Sequence, residues 1–225
     1  MKGILFKPWK IKAIAESGDR EWQTRRLDGL KEINKTPDKW ILYDFHSAHG
    51  VVTHTNKPNS KGQFVFWQAP IFDSPDGSYK YIKPRYQVGE VVYIKDAYCH
   101  KVDPITAEVS FDEFWYRLDN PDVIKVDGDG GPELTKAGYE ASPWLSPLFM
   151  PASAARLFIK ITDVRAERLQ EITEEDCIAE GMKQQELPFD IAPVWQYQEL
   201  WDSINPKYPW EMNPWVWVYQ FKTKP

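Results

Sequence analysis

Residues 156–182 read RLFIKITDVRAERLQEITEEDCIAEGM, and the fold turns on how this stretch is divided. Leu157, Phe158, Ile159, Ile161 and Val164 form an apolar run broken by Lys160, Thr162 and Asp163. Its β-branched content predicts a strand, and so continuous an apolar character predicts a central one. At Thr173 the period changes. A hydroxyl followed three residues later by Asp176 is the pattern of a capping box, so a short helix with an acidic start is expected to run to Gly181. Ile172, Cys177 and Ile178 would supply its apolar contacts. Glu180 falls in the last turn, where a carboxylate meets the negative end of the helix dipole and needs a compensating partner.

Working outward, 225 residues suffice for one sizeable core. With 28 basic against 33 acidic residues the formal net charge is −5, so no overall basic excess draws the chain to nucleic acid, and any such binding must come from a local patch. Aromatic residues make up 15% of the chain, 11 of them Trp, and Pro outnumbers Gly by 18 to 12. That balance predicts sheets joined by wandering loops, a β-rich α+β protein. Cys99 and Cys177 are too few for a disulfide framework, and the opening MKGILFKPWK lacks the apolar core of a signal peptide. No apolar run reaches the roughly 18 residues of a membrane span, so a cytoplasmic chain with no membrane partner is expected.

Gly3 to Trp9 reads as a strand, and Ile11, Ala13, Ile14 and Ala15 as a short apolar helix stopping at Gly18. The polar cluster Asp19 to Arg26 reads as a loop, followed by a small helix through Leu27, Leu30 and Ile33. From Asp38 to Lys83 alternating segments flank a Pro-Asp-Gly turn and predict a meander. Val91 to Ile94 reads as a strand, residues 99–153 as a surface excursion, Ile191 to Ile204 as a helix, and Trp215 to Phe221 as a strand with Trp215 and Trp217 on one packed face. His46, His49 and His54 match no zinc spacing, and the Gly-rich loop at Gly128 has no Lys-Ser or Lys-Thr after it, so neither a metal nor a phosphate cradle is expected.

Four separated stretches carry a resemblance: Gln23-Thr-Arg-Arg, the segment from Gly89 to Tyr98, the segment from Met150 to Met182, and Asn213 to Val218. Together they resemble the phage and prophage branch of the ASCH domain family, whose members are PUA-like β-barrels. The resemblance implies one such domain over residues 1–225, with insertions at about 38–83 and 99–149 and an added helical segment at about 190–205. It also implies a cleft that binds RNA or a modified nucleotide, with no cofactor. In a bacterial branch that hydrolyses acetylcytidine, a Lys, a Thr three residues later and a distant Glu do the chemistry. Thr24 and Glu180 fall on the last two positions, and Glu21 falls on that of the lysine. An activated threonine needs a neighbouring base, which a neutral lysine supplies and Arg20 cannot, so Glu21 would have to serve.

Three readings follow. The first is a cleft for RNA or a nucleotide formed by residues 20–26, the end of the 91–95 strand and the helix near Glu180. Arg20, Arg25, Arg26 and Lys95 would contact phosphate, and Trp22 and Tyr98 would stack on a base. The second is an amidohydrolase acting on an acylated cytidine-like base, with Thr24 as nucleophile and Glu180 and Glu21 as acid and base. The third is a phage protein that binds a host protein through its tryptophan-rich insertions.

Overall fold

The computed structural model describes residues 1–42, 52–54, 66–68, 71–102, 109–117, 119, 133–134, 140–141, 144–182 and 193–224. In chain order these form β1 (Lys2–Leu5), α1 (Pro8–Glu16), β2 (Glu21–Arg26), β3 (Ile41–Leu42), β4 (Val52–His54), β5 (Phe66–Gln68), β6 (Ile71–Asp73) and β7 (Tyr79–Tyr81). They continue with β8 (Val91–Lys95), β9 (Tyr98–Val102), β10 (Val109–Tyr116), β11 (Glu133–Leu134), β12 (Glu140–Ala141), β13 (Phe158–Arg168), α2 (Glu174–Glu180), α3 (Pro193–Ile204) and β14 (Trp215–Lys224). The protein is thus a mixed α and β chain with three α-helices among the described residues, and their strand pairings close no barrel. It divides into two compact units, each assembled from separated segments: residues 1–20, 91–160 and 222–225, and residues 21–90 and 161–221.

In the first unit β1 pairs in parallel with β8, and β8 pairs antiparallel with the start of β13. β9 and β10 form an antiparallel hairpin, with β12 on the free side of β9. Residues 99–153 therefore hold more regular structure than their composition suggests, because Phe114, Tyr98 and Met150 bury against one another and give the hairpin a small core of its own. The expected strand from Gly3 to Trp9 stops at Leu5. Pro8 takes the first helical position, where a missing N–H costs nothing, and α1 starts there and buries Ile11 and Ile14.

In the second unit β13, β14 and β2 are neighbours in that order. β13 runs to Arg168, beyond the apolar run, because its polar second half finds partners on neighbouring elements. β14 is buried on both faces from Trp215 to Tyr219, so Trp217 packs fully and still donates its indole N–H to Asp28 O at 2.9 Å. Burying each such ring contributes roughly 1.5–3 kcal/mol. β3, β6 and β7 make the antiparallel meander expected there, turning at Pro75-Asp76-Gly77. The helix expected through Leu27, Leu30 and Ile33 is absent. The chain turns at Gly29 (φ 78°), and only a single 3-10 turn, Ile33–Lys35, forms before Pro37. α3 lays Tyr197 and Trp201 into a core shared with Leu169, Ile172, Cys177, Val216 and Val218.

Candidate functional site

Residues 21–26 are a strand, not a loop. The polar letters Glu-Trp-Gln-Thr-Arg-Arg conceal the fact that Trp22, Gln23, Thr24 and Arg25 are all buried. Polar groups survive burial only when partnered, and in the second unit those partners come from β13 and α2.

α2 begins at the expected capping box. Asp176 N donates to Thr173 Oγ1 at 3.1 Å, and Thr173 N donates to Asp176 Oδ2 at 3.3 Å. It ends at Gly181 with Met182 N bonded back to Cys177 O. Glu180 is buried at that end, and the compensating partner its position calls for is Arg25, whose Nη1 lies 3.5 Å from Glu180 Oε1. The Arg25 side chain is fully enclosed and reaches two more carboxylates. Its Nε and Nη2 donate to Glu167 Oε1 at 3.0 and 2.6 Å, and Nη2 also donates to Asp176 Oδ2 at 2.9 Å. Arg165 joins from the same strand as Glu167, with Nε 3.0 Å from Glu167 Oε2 and Nη2 3.7 Å from Asp176 Oδ1.

The electrostatics follow from this enclosure. Burial alone would lower the pKa of Arg25, but Glu180, Glu167 and Asp176 outweigh it and hold the guanidinium firmly charged. Burial alone would raise Asp176, and Arg25 together with the Thr173 N–H, Gln23 and Arg165 outweighs it and holds the carboxyl below its usual range. Tyr197, enclosed beside Glu180, is pushed well above an ordinary phenol, and burial pushes the Cys177 thiol up to about 12.

Strand alternation sorts β2 into two faces. Arg25 shares its face with Gln23, whose Oε1 accepts from Arg25 Nη1 at 3.4 Å, and with Glu21, whose Oε1 accepts from Thr162 Oγ1 at 3.1 Å. Thr24 shares the other face with Arg26, whose Nε donates to Thr24 Oγ1 at 3.2 Å. The contacts described join Thr24 to Arg26, Glu180 to Arg25 and Glu21 to Thr162. All three lie in the second unit, but both carboxylates belong to the Arg25 face.

The stacking and phosphate residues also need sorting. Trp22 is 1% exposed and Tyr98 5% exposed, so neither ring is presented to solvent; each is packed in its own unit. Arg25 is enclosed by acids and is not a phosphate contact. Arg20 is exposed in the first unit, where Lys95 donates from Nζ to Leu148 O at 2.6 Å. Arg26 is half-buried in the second unit.

Two residues on the Arg26 side were missed. The Arg85 guanidinium lies 5.6 Å from the centre of the Tyr86 ring. Tyr86 is pushed up by burial, against the pull of both Arg85 and Arg26. Two arginines therefore act on Tyr86, whose ring is itself 2% exposed and packed on Tyr219, so only the guanidinium groups can face a ligand. The Arg85-Tyr86 pair directly precedes the Gly89 stretch, and that adjacency was the one available signal. His46, His49 and Gly128 lie outside the described residues, and so do the side chain of His54 and most of the tryptophan-rich insertions. Among the described residues no group of three metal-ligating side chains converges, and no helix is long and apolar enough to cross a membrane. No known protein family, curated protein or solved structure matches the chain in comparison.

Proposed function

We propose that this chain is an ASCH-type protein of PUA-like descent that binds RNA or a modified nucleotide through the Thr24-Arg26 side of β2. Two things support the reading. One is the resemblance of the four separated sequence stretches. The other, which carries it, is that Arg26, bonded to the Thr24 hydroxyl, and Arg85, over the Tyr86 ring, both act on Tyr86, with Asp28 4.0 Å from Arg85 as the neighbouring acid. Guanidinium forks match phosphate oxygens and base edges, and the Thr24 hydroxyl adds an acceptor and a donor. The opposite face is electrostatically spent, because its enclosed arginine is committed to three carboxylates.

Hydrolysis fits the geometry poorly. A nucleophile needs its base within hydrogen-bond reach. Thr24 Oγ1 instead accepts from a permanently charged guanidinium, and neither Glu21 nor Glu180 shares its face. The test is fluorescence anisotropy with a labelled single-stranded RNA across a salt series. Each of Arg26→Ala and Arg85→Ala should weaken binding and reduce the slope of log K against log salt by about 0.7. Incubation with acetylcytidine, followed by chromatography, should release no cytidine. Affinity and slope unchanged in both variants would sink the binding reading, and turnover abolished by Thr24→Ala would replace it with the hydrolase.

A further inference from the structure

The acidic net charge of the chain conceals a basic beginning. Residues 1–15 contain Lys2, Lys7, Lys10 and Lys12 and no acid before Glu16, in a chain whose formal net charge is −5. Lys2, Lys7 and Lys12 are exposed, whereas Lys10 is buried with its amine over the Phe6 ring.

The first unit also exposes apolar side chains, and a further cation, Lys95, lies among them. Parallel pairing sets Leu5 opposite Lys95, and the Lys95 amine holds Leu148 O. Leu148 and Phe149 sit on a tight turn fixed on both sides. Ser146 Oγ accepts from Leu148 N at 3.3 Å, and the Tyr93 hydroxyl donates to Met150 O at 3.0 Å while Met150 itself is buried. The turn is therefore rigid, yet Leu148 is 57% and Phe149 77% exposed. Leu5 and, at the start of α1, Trp9 are exposed as well, at 38% and 40%.

We propose that this end of the first unit rests on an anionic lipid surface, with Leu148, Phe149, Leu5 and Trp9 dipping into the interface and Lys7, Lys12 and Lys95 meeting the headgroups. Charge selects an anionic occupant. Two of the four apolar groups are leucines, which offer no ring for a base to stack on but partition into an acyl boundary as well as the aromatics do, so lipid fits better than nucleic acid. That no helix among the described residues is long and apolar enough to cross a membrane does not bear on such peripheral contact. Neither signal suffices alone, and apolar insertion combined with several lysines is the pairing that peripheral binding requires. This proposal stands apart from the nucleotide reading, because it uses the other unit and none of the same residues.

Co-sedimentation with phosphatidylcholine vesicles containing about 30% phosphatidylserine tests it. The whole chain should partition onto these vesicles and not onto pure phosphatidylcholine. Replacing Leu148 and Phe149 together by Ser should reduce partitioning at least about tenfold. Lys7→Ala should reduce it about fivefold. All three positions are exposed, so unchanged thermal melts will show that folding is intact. Arg26→Ala should leave vesicle binding untouched, which separates this idea from the first. Absence of binding to the anionic vesicles would overturn the proposal. So would a double variant that binds them normally, or one that loses RNA and not lipid.

Discussion

Replacing Arg25 by Met tests the central feature of the second unit, because it removes the charge while nearly keeping the volume. Three carboxylates then remain around an apolar stem: Glu180 at 6%, Glu167 at 12% and Asp176 at 15% side-chain exposure. Deleting one partner of a buried ion pair typically costs about 3–5 kcal/mol, because the surviving charge stays desolvated without compensation. Arg165 still reaches Glu167 and Asp176, so the lower half of that range, about 3 kcal/mol, is expected. For a chain of this size that corresponds to a fall in melting temperature of roughly 6–12 °C. The pH dependence should change with it. In the wild type Asp176 is held below its usual value, so its contribution is complete above the unfolded-state value of about 3.9 and is lost as pH falls through the lowered folded value. Without Arg25 the largest of the contacts that hold Asp176 down is lost, so its folded value rises toward the unfolded one and the loss of stability on acidification should shrink in the variant. Urea titrations followed by tryptophan fluorescence at several pH values would measure both effects. A variant within about 1 kcal/mol of wild type at neutral pH, with an unchanged pH profile, would refute the claim that this cluster depends on its arginine.

Two further outcomes follow from packing. A Cβ added at Gly3 would stand 2.6 Å from both Tyr93 Cζ and Lys95 Cε, and Tyr93 is tethered through its hydroxyl, so Gly3→Ala should cost about 1–3 kcal/mol in a thermal melt; a neutral result would mean the ring gives way freely. Cys99 and Cys177 are both buried, and the Cys177 thiol is pushed up to about 12, so an aromatic disulfide reagent at pH 8 should find neither thiol in the native protein and both after denaturation; rapid native reaction would contradict this burial.

The elements that could be read from sequence are those whose signal is local. The β13 run, the Thr173 capping box, the α3 periodicity and the β14 alternation each follow from residues within a dozen positions, and each forms where expected. β2 could not be read this way. Its letters are those of a loop, and only the carboxylates of Glu167, Asp176 and Glu180, more than 140 residues away, make a buried Arg25 affordable. Glu180 did announce its need, since an acid at a helix C-terminus requires a cation, but nothing local says which arginine answers. That one choice then propagates. With Arg25 committed to α2, the two-residue period of the strand sends the Thr24 and Arg26 side chains from the other side of the strand, where Arg26 bonds the Thr24 hydroxyl.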